Sequence, residues 1–403
     1  MHFTVRHTRY CCYASSISHA AVNNLAPLLF LTFTRQFGVS LSQLAFLVTL
    51  NFGIQMVVDL FAARYAVRLG YRPCVVAANA LCGAGLIGLG VLPYALPSPY
   101  AGLIGAMVLY ALGGGLLEVL TSPIVEALPG EEKAAAMSLL HSFYCWGHVA
   151  VVLFSTLYFT TIGLAHWRFL PMLWAVIPLA NAFFFSRVPI NTFGGEGENL
   201  SVRGLLRLPA FWLFFLLMLC AGAAEQAMSQ WASLFAEQGL RVSKTMGDLL
   251  GPCAFAALMG LSRLLYGRYG ARLRLDACIL CSSLLCVLCY LLTVFSPHPL
   301  FSLLGCAVCG FSVGILWPGT LSLSAARCPQ GGTALFALLA LAGDVGCSAG
   351  PGLVGFVSDA SARASSALLS GDAGLKLGML AAIVFPLLLV LGSLWLLKKS
   401  SRN

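Results

Sequence analysis

The chain has 403 residues, of which 59% are hydrophobic and only 9% charged, with a mean hydropathy of +0.89 and a formal net charge of +9. A soluble globular protein carries roughly 25% charged residues, so this composition excludes an ordinary water-soluble domain and leaves a polytopic, all-α integral membrane protein. The basic excess falls in short loops between apolar stretches, where it orients the chain in a bilayer and calls for no nucleic-acid partner.

The apolar material comes in stretches about 20 residues long, the length that crosses roughly 30 Å of hydrocarbon as helix. Twelve spans are predicted: 10–33, 41–63, 73–93, 101–125, 134–160, 167–187, 207–236, 245–266, 275–296, 299–323, 333–357 and 374–397. Span 1 follows a short basic start (Arg6, Arg9) and imitates a signal peptide. Asn23-Asn24 interrupts its apolar core and no small-residue cleavage site follows, so it is read as a retained helix. With the N-terminus inside, 17 of the 23 Lys and Arg residues fall on the cytoplasmic side and six on the other. Both termini are therefore expected in the cytoplasm. Arg263 is counted there with the basic loop that follows span 8. The absence of a transit peptide and the compact loops point to a bacterial inner (cell) membrane.

Span 1 offers His19 and Asn23 one turn apart, with Asn24 adjacent. Uncharged amides suit hydrogen bonding to solute hydroxyls, and they also bind membrane helices to one another. Span 4 carries Glu118 in a long apolar run. A carboxylate placed there costs about 3 kcal/mol on insertion scales, which is why such residues mark ion or substrate pathways. Glu118 precedes Pro129 by 11 residues and His141 follows it by 12. A helical hairpin turning at Pro129-Gly130 would set the two at one depth, where acid and imidazole can share a proton. Span 7 carries Glu225, Gln226 and Gln230, followed by Trp231, and span 11 carries Asp344. Trp317-Pro318 breaks span 10. Acids, amides and indole rings together are what a sugar-like ligand uses, although single tryptophans more often mark the membrane interface.

Fifteen cysteines lie almost entirely inside the spans. Several pairs have Cys-x-x-Cys spacing, but no histidine ligands accompany them, so they are read as small packing residues rather than as a metal or redox site. No phosphate loop or nucleotide motif is present. No cofactor is expected, and the energy should come from an ion gradient.

The second half echoes the first at an offset of 200 residues. Arg68-Leu-Gly-Tyr-Arg72 after span 2 matches Arg268-Tyr-Gly-Ala-Arg272 after span 8, Gly114 matches Gly314, and Pro129 matches Pro329. The chain is read as two pseudo-symmetric six-helix halves, 1–187 and 207–403, joined by a polar cytoplasmic linker at 188–206. Such halves suit alternating access around a site near the midplane.

The paired Arg-x-Gly-x-Arg elements resemble the loop signature of the major facilitator superfamily. That signature has an Asp before its first Arg, where this chain holds Val67 and Gly267, and Asp59 two turns earlier is a candidate substitute. The resemblance implies that Asp59, Arg68, Arg72, Arg268 and Arg272 form gating loops, against inside-positive anchoring alone. More narrowly, Gly113-Gly-Gly-Leu-Leu-Glu118-Val-Leu-Thr-Ser-Pro123, Leu139-Leu-His141-Ser-Phe143-Tyr-Cys-Trp-Gly147 and Asn23-Asn24-Leu25 resemble the fucose permease-like family. In its sugar-transporting member a helix 4 Glu and a helix 1 Asp serve proton coupling and sugar binding. By position the Glu falls on Glu118 and the Asp on Pro27, while the helix 5 amide falls on His141 and Asn24 keeps the family's amide.

The sequence is accordingly read as a secondary active transporter, not an enzyme, moving a small polar solute (a sugar or polyol) with protons. Glu118, His141 and Asp344 are the proton-coupling candidates. Asn23, Asn24, Glu225, Gln226, Gln230 and Trp317 are the substrate-binding candidates. A monomer in the lipid bilayer is expected, with solute and protons as partners. The rival readings are an exporter of amphipathic drugs or metabolites, a solute sensor that does not translocate, and, remotely, a membrane-embedded enzyme, for which no loop supplies paired catalytic groups.

Overall fold

The computed structural model describes residues 3–126, 128, 133–190, 202–269, 274–328, 332–364 and 371–400, helical nearly throughout and without a strand among them. In chain order the helices are α1 (Val5–Asn24), α2 (Phe30–Phe37), α3 (Leu41–Leu69), α4 (Tyr71–Ala95), α5 (Pro99–Glu126) and α6 (Lys133–Thr161). There follow α7 (Phe169–Arg187), α8 (Val202–Leu206), α9 (Pro209–Leu234), α10 (Lys244–Asp248), α11 (Ala254–Tyr269) and α12 (Leu275–Phe295). The last are α13 (Pro299–Val313), α14 (Leu316–Arg327), α15 (Gly332–Ala364), α16 (Gly371–Ala381) and α17 (Val384–Ser400). Eleven segments among the described residues are long and apolar enough to cross a membrane, beginning with Leu41–Phe61 and ending with Gly374–Lys398.

The expected first span is the one outside this set, for a local reason. Val5–Asn24 carries Arg6, Arg9 and a run of serines, and Pro27 has no N–H to give the Asn23 carbonyl. The helix passes into a 3₁₀ turn over Ala26–Leu29 before α2 resumes. Both parts contribute to the interior, with Ala20, Leu29, Phe30 and Phe33 fully buried.

Two compact units emerge, residues 1–39 with 50–195, and residues 40–49 with 196–403. In the first, α4 packs along α5 and α7, and α1 packs against α5, α6 and α7. The α4–α5 contact depends on absent side chains: a Cβ on Gly113 would meet the Ala78 carbonyl oxygen at 2.5 Å and the Cys82 nitrogen at 2.7 Å. Lipid offers no hydrophobic drive for helix association, so such close backbone approach supplies the attraction. Asn181 ties α7 to α1 and α4. Its Nδ2 donates to the Cys11 carbonyl, Ser15 Oγ and Asn79 Oδ1, each at 3.0 Å. Gly70 makes the one-residue turn from α3 to α4 at φ 88°, a backbone that side-chain-bearing residues rarely adopt. That requirement accounts for the glycine of the Arg-x-Gly-x-Arg element.

In the second unit α9 and α15 form the longest helix pair, and α12–α13, α11–α13 and α12–α17 complete the packing. The α9–α15 pair is built on Gly222 and Gly346, where an added Cβ would strike the main chain of Gly343 and Leu219. The α12–α13 hairpin sets two cysteines face to face, with Cys286 Sγ and Cys309 Sγ 3.8 Å apart. Pro129-Gly130, Pro329, Arg272 and most of the 188–206 stretch lie outside the described residues, as do the side chains of Arg68 and Arg268.

Candidate functional site

The first unit gathers a polar cluster around the break in helix 1. Asn23 and His19, one turn apart on α1, meet at 3.0 Å through Asn23 Nδ2 and His19 Nε2. Asn23 Oδ1 accepts from Asn51 Nδ2 at 3.0 Å and from Gln55 Nε2 at 2.8 Å. Gln55 Oε1 lies 3.1 Å from His19 Nε2, and Glu118 Oε2 lies 3.7 Å from the same nitrogen. Asn24 Nδ2 donates to the Ala20 carbonyl and, at 3.3 Å, to the Tyr144 hydroxyl, whose ring centroid is 5.3 Å from that of His19.

Each position has a sequence cause. Asn51 and Gln55 are one turn apart and so share a face of α3. The glycine run of α5 makes the room: a Cβ on Gly114 would sit 3.4 Å from His19 Cδ2 and 3.6 Å from Gln55 Cδ. Asn23, Asn24, Asn51 and Gln55 are all buried, whereas the Glu118 side chain keeps 36% of its surface open. Buried amides need partners, and here most of them are one another. Asn51 Oδ1 is an exception, buried with no donor among the described residues.

One nitrogen, His19 Nε2, faces an acceptor, a carboxylate and an amide donor. Carrying a proton, it can donate to Gln55 Oε1 or Glu118; bare, it can accept from Asn23. The cluster thus has two hydrogen-bonding arrangements, set by whether His19 Nε2 carries a hydrogen.

The imidazole of His19 lies 3.7 Å from Glu118. His141 is an exposed residue of α6, and His148, two turns on, is buried. α1 packs against both α5 and α6. Asp59 is half-buried on α3, and Asp344 is buried on α15. Arg72 lies at the start of α4 and donates to the carbonyls of Phe185, Ser186 and Val188 at 3.3, 2.8 and 2.8 Å. It caps the end of α7, where a cation meets the negative pole of a helix.

The second unit holds a separate polar group. Gln230 Nε2 donates to Gln226 Oε1 at 2.9 Å, Gln226 Nε2 lies 3.4 Å from Glu225 Oε1, and Glu225 Oε2 lies 3.9 Å from the Arg263 guanidinium. Trp231 is fully buried, its indole N–H donating to the Pro351 carbonyl at 3.1 Å. The Trp317 ring lies against Gly343, a position where any Cβ would collide with its Cη2 and Cζ3. Near the far end of α9, Asp248 is buried and paired with Ser233 and with Lys244, which also reaches Glu237 at 3.0 Å.

Asn51, Gln55, Arg263, Asn79, Asn181 and the Lys244–Asp248 pair escaped the sequence reading. The first two carried the same one-turn amide spacing that marked Gln226 and Gln230, so the signal was available. Arg263 was visible but was assigned to the adjoining basic loop.

Among solved structures, the chain is similar to a bacterial homologue of the human lysosomal transporter Spinster in an inward-facing, occupied conformation. The identity is 14%, the TM-score 0.74, and 97% of this chain and 95% of that one are covered. It is similar to a peptide transporter bound to alafosfalin, at 16% identity and TM-score 0.71 with coverages of 96% and 93%. A third is the fucose:proton symporter of E. coli, at 16% identity and TM-score 0.61 with coverages of 94% and 98%. Identities this low speak for the fold alone. A comparison with curated protein sequences finds no match. The chain matches the Major Facilitator Superfamily profile over residues 11–351, and it belongs to that family of multi-pass membrane transporters.

Proposed function

We propose that the protein is a secondary active transporter of a small hydroxylated solute, a sugar or polyol, moved with protons by alternating access of two six-helix halves, 1–187 and 207–403, joined at 188–206. The observation that carries this reading is the buried His19–Asn23–Asn51–Gln55 cluster beside Glu118. Amides offer donors and acceptors without fixed charge, and the orphaned Asn51 Oδ1 is an acceptor for a solute hydroxyl. Glu118 is the proton-binding acid. Its proton passes to and from the solute site through His19, whose change of bonding partner makes the amides alternate between two arrangements. Asp344 is a second coupling candidate, and Trp317 a ring face for a sugar. The Gly113–Pro123 resemblance to the fucose permease-like family supports the same solute class. The expected setting is a bacterial inner membrane with both termini cytoplasmic, and the working form a monomer.

A thermal-shift screen of the detergent-purified protein against hexoses, pentoses, polyols and common efflux substrates tests the reading. A ligand at 100 times its dissociation constant stabilises the fold by about 2.7 kcal/mol, enough to register. Stabilisation by a hydroxylated solute is expected; stabilisation by amphipathic drugs alone would replace this reading with that of an exporter.

A further inference from the structure

The α12–α13 hairpin carries a ladder of thiols and hydroxyls that the candidate transport site does not use. Cys286-x-x-Cys289 on α12 and Cys306-x-x-Cys309 on α13 run in opposite directions on either side of the turn at 296–298. Cys286 Sγ lies 3.8 Å from Cys309 Sγ. The same antiparallel register sets Cys289 level with Cys306, and Thr293 level with Ser302 one turn nearer the hairpin turn. Close packing holds it: a Cβ on Gly305 would stand 2.9 Å from the Cys289 carbonyl oxygen and 2.6 Å from Thr293 Oγ1. All six side chains are buried.

Packing alone does not account for the hydroxyls. A serine or threonine inside a helix ordinarily bonds a carbonyl one turn back, as Ser283 does to Ile279 on the same helix. Thr293 Oγ1 and Ser302 Oγ are buried with no hydrogen-bond partner among the described residues, and the Gly305 contact shows Thr293 Oγ1 turned toward α13. A group left in that state costs about 1–3 kcal/mol. Two unpaired hydroxyls therefore flank a pair of cysteines, one turn from each.

The donor set names the ligand class. Sulfur without carboxylate or imidazole selects a soft ion. Charge sets its valence: four thiolates around a divalent ion would leave two negative charges in an apolar interior, whereas a monovalent ion exchanged for one thiol proton leaves none. Space is sufficient, because two metal–sulfur bonds of about 2.3 Å span about 4.6 Å across an ion, so Cys286 and Cys309 need part by less than about 1 Å.

We propose that the paired cysteines of α12 and α13 bind a monovalent thiophilic cation of the cuprous class. As the ion enters between two sulfurs, one thiol proton leaves for solvent, the other sulfur binds as the thiol, and no electron moves. The sulfur that loses its proton becomes a strong acceptor. The Thr293 and Ser302 hydroxyls then gain the acceptor they lack.

The test is a titration of the purified, reduced full chain with copper(I) in competition with a chromogenic cuprous chelator, repeated with silver(I) as a redox-inert probe. Wild type should hold the ion against a chelator concentration that strips it from the variant carrying Cys286→Ala, Cys289→Ala, Cys306→Ala and Cys309→Ala. Cys281→Ser, which removes an exposed thiol of α12, should bind as wild type does. Thr293→Val removes an unpaired hydroxyl at nearly constant shape. It should keep or raise the Tm of the ion-free protein yet weaken copper(I) binding about ten-fold, a combination that a damaged fold cannot produce. Equal binding in the four-alanine variant, unchanged affinity in Thr293→Val, or zinc(II) held as tightly as copper(I) overturns the inference.

Discussion

Asn181 offers a stringent test of how the first unit is held together. Its Nδ2 faces three acceptors at 3.0 Å: the Cys11 carbonyl, Ser15 Oγ and Asn79 Oδ1. An amide nitrogen has two hydrogens, so two full bonds are available at once. Side-chain bonds between membrane helices average about 0.6 kcal/mol, giving about 1 kcal/mol for the pair. Asn181→Leu, similar in volume but without polar atoms, also strands Asn79 Oδ1 in a buried site, at a further cost of about 1–3 kcal/mol. The expected total is about 2–4 kcal/mol, or a fall in Tm of about 4–16 °C at 2–4 °C per kcal/mol for a unit of this size. Thermal unfolding in one detergent, with and without lipid, measures it. Removing the stranded acceptor as well, in Asn79→Ala with Asn181→Leu, should cost less than the two single changes together. A Tm unchanged in Asn181→Leu, or strict additivity in the double variant, would refute the reasoning.

Three further outcomes follow from the same geometry. Gly222→Val places carbon against the Gly343 main chain and 3.1 Å or less from Cys347 Sγ; overpacking of this kind costs about 1–3 kcal/mol or more, and loss of monodisperse protein on size exclusion should report it. Arg72→Gln removes the cap on α7 and should lower Tm by about 1–3 °C, with Arg72→Lys in between; undiminished Tm beside lost transport would favour a gating role instead. His19→Ala strands the buried Gln55 Oε1 and Asn23 Nδ2, at a cost of about 1–3 kcal/mol, and should flatten the pH dependence of solute uptake, because the Glu118 carboxylate loses its proton relay; a pH profile matching wild type would count against His19 in that role.

Much of the architecture was legible because a bilayer leaves little freedom: backbone groups must be satisfied within each span, and only helices of about 20 apolar residues do so. The expected span at 275–296 and the helix Leu275–Phe295 agree to a residue at each end. The first span is interrupted near its end, because Pro27 leaves the Asn23 carbonyl without its helical donor and the chain passes through the 3₁₀ turn Ala26–Leu29. The candidate site was legible only in part. Glu118, Asn23 and His19 stood out as polar residues in apolar surroundings, but which of them meet depends on which helices are neighbours. Chain connectivity suggested α5 with α6, whereas the structure puts α1 against both, so Glu118 faces His19. Arg263 shows a second limit. Its position near a helix end reads as interfacial, whereas its guanidinium meets the Gly314 carbonyl and Glu225 on other helices.

The most direct measurement is proton movement in proteoliposomes, with wild type and Glu118→Gln compared under a panel of sugars, polyols and sugar acids. The account predicts that one hydroxylated class drives proton entry in wild type, and that Glu118→Gln still exchanges this solute across the membrane but no longer moves protons or accumulates it. Solute flux without proton movement in wild type, or unchanged proton entry in Glu118→Gln, would contradict it.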